Sequence, residues 1–111
     1  MGITKSEIFS DKHNDIARIA KVLGHPARIS ILEYLIKSNS CVCGDLVEEI
    51  GLAQPTISQH LKELKNAGII QGTIEGTSVC YCINTEKWND IQNKLNLFFN
   101  QNVSCSETDC C

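Results

Sequence analysis

The sequence lacks any apolar run of the roughly 20 residues that a membrane-spanning helix needs. Its first 30 residues carry lysines and acidic residues throughout, and no apolar stretch of signal-peptide length. Both absences favour a cytoplasmic protein without membrane contacts. The 111 residues also contain no internal repeat and no linker. We therefore expect a single domain over residues 1–100, followed by a flexible, cysteine-rich tail over residues 101–111.

A surplus of positive charge is also lacking. Ten Lys and Arg stand against 13 Asp and Glu, which gives a formal net charge of −3. Proteins that hold nucleic acid by bulk attraction are basic. Any contact with nucleic acid must therefore be made locally.

Catalytic motifs are absent as well. No histidine or carboxylate is tied by a motif to a cysteine, as a nucleophile and its base would be. His13, His25 and His60 fall in three different helical patterns, so they do not build a metal site together. We expect a protein that is not an enzyme.

Cysteine, in contrast, is abundant, with seven in the chain. In a reducing cytoplasm, cysteines are more often ligands, nucleophiles or redox sensors than structural bridges. They fall into three groups, of which the first lies in "SCVCGDL": Cys41 and Cys43, then Cys80 and Cys82, then Cys105, Cys110 and Cys111.

Apolar residues at helical spacing predict four helices in the first two thirds of the chain, over residues 11–23, 24–38, 44–51 and 54–68. Pro26 suits the opening turn of the second helix, and Gly51 and Gly68 are placed to end the third and fourth. The inward stripe predicted for the second helix is Ile29, Leu32, Leu35 and Ile36. The third and fourth helices, joined by a tight turn with glycine, predict a helix-turn-helix.

After residue 68 the pattern changes. Residues 69–83 are rich in β-branched and aromatic residues, and "EGTS" reads as a turn, which predicts a β-hairpin. A last helix over residues 85–100 would bury five large side chains: Trp88, Ile91, Leu95, Phe98 and Phe99. These exceed what one chain of this size covers easily, so they predict a homodimer. The predicted fold is mainly α with a small β-hairpin: a homodimeric winged helix-turn-helix of about five helices plus a wing.

The fourth helix has one apolar and one polar face. Placing Ile57, Leu61 and Leu64 inward directs a polar set outward, at about 100° per residue: Gln59, Lys62 and Asn66, flanked by Thr56, Ser58 and Lys65. Amides, hydroxyls and lysines are the groups that read base edges and hold phosphates. An ordinary solvated helix would show the same face, but the tight turn before it and the hairpin after it favour DNA binding.

Four stretches, "KVLGHPARISILEYL", "CVCGDL", "GLAQPTISQHLKELKNAGII" and "GTSVCYCI", together resemble the ArsR/SmtB family of winged-helix metal-responsive repressors, across roughly residues 15–100. The resemblance implies a homodimer that binds double-stranded operator DNA and leaves it on binding a metal ion or metalloid. It implies DNA contacts from the recognition helix, at Gln54, Thr56, Ser58, Gln59 and His60, and from a wing tip at residues 75–78, which include Thr77. Ala53 departs from the family's frequent serine cap, at some cost in helix stability.

Cys41 and Cys43 are the first candidate ligands. Residues two apart on a regular helix point away from each other, so the two cysteines must straddle the start of the third helix. The positive end of the helix dipole there favours the metal-binding thiolate. In arsenic-responsive relatives the similar "CVC" binds trivalent arsenic or antimony. The alternative is two small buried hydrophobic residues.

The third thiolate of the arsenic prototype has no counterpart here, because Val47 falls roughly at that position. The candidates to replace it are Cys105, Cys110 and Cys111. The alternative is a solvated tail whose cysteines bind no ion. Adjacent cysteines such as Cys110 and Cys111 are too close for an unstrained disulfide.

Cys80 and Cys82 alternate on one strand and share a face. They could be packed in the core or form a second thiol site or redox pair. An all-sulfur site suits soft ions, so the expected inducer is As(III) or Sb(III), with Cd(II), Pb(II) or Zn(II) as alternatives. The predicted function is a repressor released by such an ion. The alternatives are a thiol redox or persulfide sensor of the same fold, and a thiol metal buffer that binds no DNA.

Overall fold

The structure is a computed structural model that describes residues 8–38, 42–43, 50–75 and 78–105. Within these residues the chain forms, in order, α1 (Asp11–Leu23), α2 (Pro26–Ser38), β1 (Val42–Cys43), α3 (Gln54–Asn66), β2 (Ile70–Glu75), β3 (Ser78–Ile83) and α4 (Thr85–Phe99). The helix expected over residues 44–51 falls largely outside the described residues. At its expected end, Ile50 is helical and Gly51 has a φ of +83°.

The first two helices begin at residues whose side chains satisfy free backbone N–H groups. The Ser10 hydroxyl accepts a hydrogen bond from the His13 N–H at 3.1 Å, which starts α1. His25 Nδ1 accepts from the Ala27 N–H at 3.0 Å beside Pro26. Ala53 precedes α3 without any side-chain cap, as its sequence predicts.

The inward face of α2 differs from the predicted stripe. Ala27, Ile31, Leu32 and Leu35 are buried, whereas Ile29 and Ile36 are each 47% exposed. The helix is apolar on most sides, so its sequence is compatible with more than one inward stripe at helical spacing. Leu32 and Leu35 are confirmed as core residues, and Ile29 and Ile36 are corrected to the surface.

The predicted packing of α3 is confirmed. Ile57, Leu61 and Leu64 are buried in the core, together with Ile31 and Ile91 from the neighbouring helices. The helix is followed by Gly68, whose φ of +80° is a left-handed conformation that glycine adopts at little cost.

The hairpin is confirmed and gains an edge strand that the sequence did not predict. β2 pairs antiparallel with β3, and β1 pairs antiparallel with the other side of β3, so the strand order is β1-β3-β2. In the second pairing Val42 lies opposite Tyr81 and Cys43 lies opposite Cys80. The sheet therefore joins the wing strands to the segment that leads toward the helix-turn-helix.

The last helix packs against α1 through one side only. Ile91 is buried and Lys94 Nζ lies 3.4 Å from the Asp15 carboxylate, while Trp88 and Leu95 are partly buried against the core. In the single chain Leu97, Phe98 and Phe99 are exposed, so this chain alone does not provide the burial predicted for Phe98 and Phe99. Among the residues described, no helix is long and apolar enough to cross a membrane.

Candidate nucleic-acid interface and thiol site

The exposed face of α3 carries the side chains expected of a recognition helix. All the outward residues predicted from its spacing are exposed: Thr56, Ser58, Gln59, Lys62, Lys65 and Asn66, with Gln54 at the first turn. Two hydrogen bonds run along this surface, from Gln54 Nε2 to Ser58 Oγ at 3.1 Å and from Gln59 Nε2 to Glu63 Oε1 at 3.2 Å. Amide groups are thus held pointing along the helix surface, ready to exchange these partners for base edges.

His60, which the family resemblance placed among the DNA contacts, lies on the buried side of α3. It is 8% exposed, and its Nδ1 accepts a hydrogen bond from Arg28 Nε at 3.1 Å. The His25 ring lies 4.4 Å from the His60 ring, centroid to centroid. Burial lowers the pKa of His60 below its ordinary value, and the charges of His25 and Arg28 lower it further. His60 therefore holds α3 onto α2 in this structure and does not lie on the exposed face.

The wing follows α3 directly. β2 and β3 are paired over their whole length, from Ile70 opposite Ile83 to Glu75 opposite Ser78. Thr77, the predicted wing-tip contact, lies outside the described residues. The described hairpin runs six residues along each strand, to Glu75 on β2 and from Ser78 on β3.

One member of the first thiol group, Cys43, belongs to the edge strand of the sheet. The backbone of Cys43 belongs to β1, and Cys41 lies outside the described residues. Opposite Cys43 is Cys80, which is half-buried and disulfide-bonded. Two of the cysteine groups that are distant in sequence therefore meet on neighbouring strands.

Cys82 has different surroundings. It is half-buried and is a free cysteine, and its Sγ accepts a contact from Gln71 Nε2 at 3.8 Å. Its Cα partner across the hairpin is that same Gln71. Cys80 and Cys82 share a strand, but the described pairing gives each a different cross-strand neighbour.

The tail contributes one described cysteine. Cys105 is exposed and disulfide-bonded, whereas Cys110 and Cys111 lie outside the described residues. Among the side chains that the structure describes, no group of three or more His, Cys, Asp or Glu is arranged to hold a metal ion. The predicted ligand roles of Cys41, Cys43, Cys105, Cys110 and Cys111 stay predictions.

Two functional features were missed by sequence reasoning. Arg28 joins α2 to α3 through His60 and to α1 through the Val22 carbonyl, which its Nη1 reaches at 3.1 Å. No sequence motif indicates that Arg28 contacts His60 or the Val22 carbonyl. The strand at Val42–Cys43 is two residues long, too short to show a periodic pattern. The repetition of Cys-x-Cys in "CVC" and "CYC" was the one available signal that these segments meet.

Among the described residues, a helix that exposes amides and lysines follows a turn at Gly51 and precedes an antiparallel hairpin, which is typical of winged-helix DNA-binding regulators. The family model described as "Bacterial regulatory protein, arsR family" matches residues 25–71, from the start of α2 into β2. An uncharacterized HTH-type transcriptional regulator of Methanocaldococcus jannaschii, MJ1325, is 40% identical over 82 residues, covering 73% of this chain and 91% of that protein.

The arsenical resistance operon repressor of Staphylococcus aureus is 30% identical over 93 residues, covering 84% of this chain and 88% of that protein. Among solved structures, the transcriptional repressor BigR from Xylella fastidiosa matches with a TM-score of 0.61 and 27% identity, over 90% of this chain and all of that chain. The chain belongs to the arsR family of bacterial regulatory proteins, which confirms the resemblance. These relatives are transcription regulators rather than enzymes, and the family binds operator DNA and responds to metal or metalloid ions.

Proposed function

We propose that this protein is a cytoplasmic, homodimeric repressor that leaves its operator when thiolates of the "CVC" segment bind a metalloid or soft metal ion. As(III) and Sb(III) are the first candidates, and Cd(II), Pb(II) and Zn(II) are the alternatives. The observation that carries the proposal is the pairing of β1 with the wing strand β3, with Cys43 in β1, because it puts a candidate inducer ligand next to the DNA-binding elements.

DNA binding is argued from α3. Its buried face, Ile57, Leu61 and Leu64, fixes the helix against the core, while the opposite face offers Gln59 to base edges and Lys62 to phosphates. On a chain with a net charge of −3, such local contacts have to carry the specificity. The polar face of α3 and the regulator relatives both speak against a thiol buffer that binds no DNA.

Dimerisation is argued from the apolar surface at the end of α4. Leu97 and Phe99 are 68% and 73% exposed, and Phe98 packs edge-on against Phe99 at 5.3 Å between centroids. A groove between α1 and α4, of about 410 Å³, opens beside Leu97. Large side chains exposed together at one helix end are typical of an interface, and a second copy would bury them and supply the second recognition helix.

The choice of inducer is argued from sulfur chemistry. A site built from cysteines selects soft ions, and the similar repressor of Staphylococcus aureus is named for arsenical resistance. Release requires the ion to bind the DNA-incompetent shape more tightly. A shift from 1:99 to 99:1 takes about 5.5 kcal/mol of such preference, which bonds to two or three thiolates can supply.

The test follows DNA release directly. Labelled DNA from the protein's own upstream region is bound by the reduced protein, arsenite is added, and fluorescence anisotropy reports release. The Cys43→Ser variant should keep its affinity for the operator, because residue 43 is not on α3, and should no longer be released. Cys82→Ser is the matched control and should respond like the wild type. Release of the Cys43→Ser variant at the wild-type arsenite concentration would place the inducer site elsewhere.

A second candidate function is a repressor that senses thiol oxidants or persulfides. It is favoured by one observation, the participation of Cys80 and Cys105 in disulfides. Mass measurement separates the two functions. An arsenite-specific response should add arsenic to the reduced protein and release DNA, whereas a persulfide sensor should gain sulfur after polysulfide treatment and release DNA without arsenite.

A further inference from the structure

The sheet places two cysteines opposite each other in its backbone register, from segments 37 positions apart in the sequence. β1 pairs with β3 such that Cys43 is the Cα partner of Cys80. Residues directly opposite each other in an antiparallel pair carry their Cβ atoms on one face, about 4.5–5.5 Å apart. Cys80 is disulfide-bonded, so a second cysteine sulfur lies within covalent reach of it. Two cysteines paired in this way can bind one ion when both are reduced.

We propose that Cys80 of the wing is a ligand of the same soft ion as Cys43, and that it supplies the thiolate missing where Val47 stands. The inference rests on the proposed function and deepens it, because it names the residue that completes the inducer site. It also moves that site from the start of a helix to the junction between β1 and the wing. The tail cysteines are then not needed as ligands.

The strand conformation of Val42–Cys43 supports this geometry. In an extended segment a residue faces its Cα partner on the neighbouring strand, so thiolates at Cys43 and Cys80 could bond the same ion. Thiolates are the ligands that soft ions prefer.

The position of the site explains how an ion could act on DNA binding. β3 pairs with β1 on one side and with β2 on the other, and β2 follows α3 after Ala67, Gly68 and Ile69. An ion held by Cys43 and Cys80 would tie the wing to the segment before the helix-turn-helix. Wing and recognition helix would then be fixed in one relative position, and if that position does not match the operator, the ion favours release.

Cys82 offers a matched control within the same strand. It lies two residues from Cys80 and so on the same face of β3, but its described partner is Gln71 of β2. A general effect of removing a thiol from β3 would appear in both serine variants. If only Cys80 is a ligand, ion binding should weaken in Cys80→Ser and stay unchanged in Cys82→Ser.

The experiment uses the full-length protein, kept reduced with a phosphine. Iodoacetamide is added with and without arsenite, and mass spectrometry measures alkylation of each cysteine. Arsenite should protect Cys43 and Cys80 together and leave Cys82 reactive. In calorimetric titrations without DNA, Cys80→Ser should weaken arsenite binding by at least about tenfold, since even partners outside the ligand shell cost about 10–100-fold. Cys82→Ser should bind as the wild type does.

Equal affinity of wild type and Cys80→Ser would overturn the inference, and so would an equal loss in Cys80→Ser and Cys82→Ser or alkylation of Cys80 in the arsenite-bound protein. Operator release, measured separately, distinguishes this failure from that of the proposed function. If arsenite frees the operator from Cys80→Ser as from the wild type, the function stands and the Cys80 site falls. If arsenite protects Cys43 and Cys80 but frees no DNA, the site stands and the function falls.

Discussion

Arg28 on α2 donates a hydrogen bond from Nε to Nδ1 of His60 on α3, at 3.1 Å. The same guanidinium donates from Nη1 to the Val22 carbonyl at the end of α1, also at 3.1 Å. One side chain thus joins three helices beneath the recognition face. Because His60 accepts through Nδ1, that nitrogen must be unprotonated for the contact to exist.

This contact predicts a pH-dependent stability. Burial first, and then the charges of His25 and Arg28, lower the pKa of His60 from 6.5. As the pH falls, the unfolded state therefore takes up a proton before the folded state does. The contribution of His60 to the free energy of unfolding should be fully present above pH 6.5 and be lost as the pH falls toward the folded-state pKa. Urea unfolding between about pH 8 and about pH 5 measures it.

The matched variants are His60→Gln and His13→Gln. The first removes the buried titrating group and should flatten the pH dependence below neutrality, whereas the second changes an exposed histidine and should leave it as in the wild type. A slope unchanged in His60→Gln would assign the pH dependence to another group.

The sequence predicted the described helices α1 to α4 well because their signals are local. Each of these helices carries its own periodic apolar residues. Pro26 lies at the start of α2 and Gly68 lies just after α3, and α1 and α2 begin near the residues that such signals indicate. Surfaces were harder to predict. The orientation of α2 depends on which of its apolar stripes meets the core, and that is decided by α3 and the sheet rather than by α2 itself.

The site was predictable in part for the same reason. The outward set on α3 follows from helical geometry alone, and it is exposed as expected. The burial of His60 follows from Arg28, 32 positions away. The pairing of Cys43 with Cys80 depends on the closure of a sheet by a two-residue strand. Such contacts between distant segments leave no period in the sequence.

A second prediction concerns base recognition by Gln59. Its amide donates to Glu63 at 3.2 Å, and it should exchange this partner for a base edge on the operator. Gln59→Ala should weaken operator binding by about 1–3 kcal/mol and change binding to random DNA little. Lys62→Ala is the comparison: an exposed lysine that contacts phosphate should weaken both DNAs alike and reduce the salt slope by about 1. Equal losses of Gln59→Ala on both DNAs would make Gln59 a backbone contact.

A third prediction concerns the close approach of β2 and β3 at Gly72. A Cβ added there would overlap the Cys80 carbonyl oxygen and lie 2.7 Å from Tyr81 Cδ1. Backbone cannot yield as a side chain tip can, so Gly72→Ala should destabilise the protein by about 1–3 kcal/mol. Gln71→Ala, at the exposed neighbouring position, should change the free energy of unfolding by less than about 0.5 kcal/mol. Urea unfolding of both variants decides, and equal stabilities would show that the strands separate there without cost.

A fourth prediction concerns the dimer. Leu95 already packs against the core of its own chain, so a charge there would disturb folding as well as assembly. Leu97 is 68% exposed and borders the groove between α1 and α4, so Leu97→Glu should leave the fold intact. Sedimentation should then show a dimer for the wild type at micromolar concentration and a monomer for the variant, because removing a charged carboxylate from water into the interface is unfavourable.

Gln92→Glu adds the same charge to the same helix, at an exposed position about 140° around it from Leu97, and should remain dimeric. Operator binding should follow assembly, since two half-sites on one face of DNA need two recognition helices at fixed spacing. Leu97→Glu should therefore lose tight operator binding while circular dichroism shows the wild-type helix content. A wild type that sediments only as a monomer, or a Leu97→Glu variant that stays dimeric, would remove the end of α4 from the interface. Tight binding by a monomeric variant would show that one recognition helix suffices.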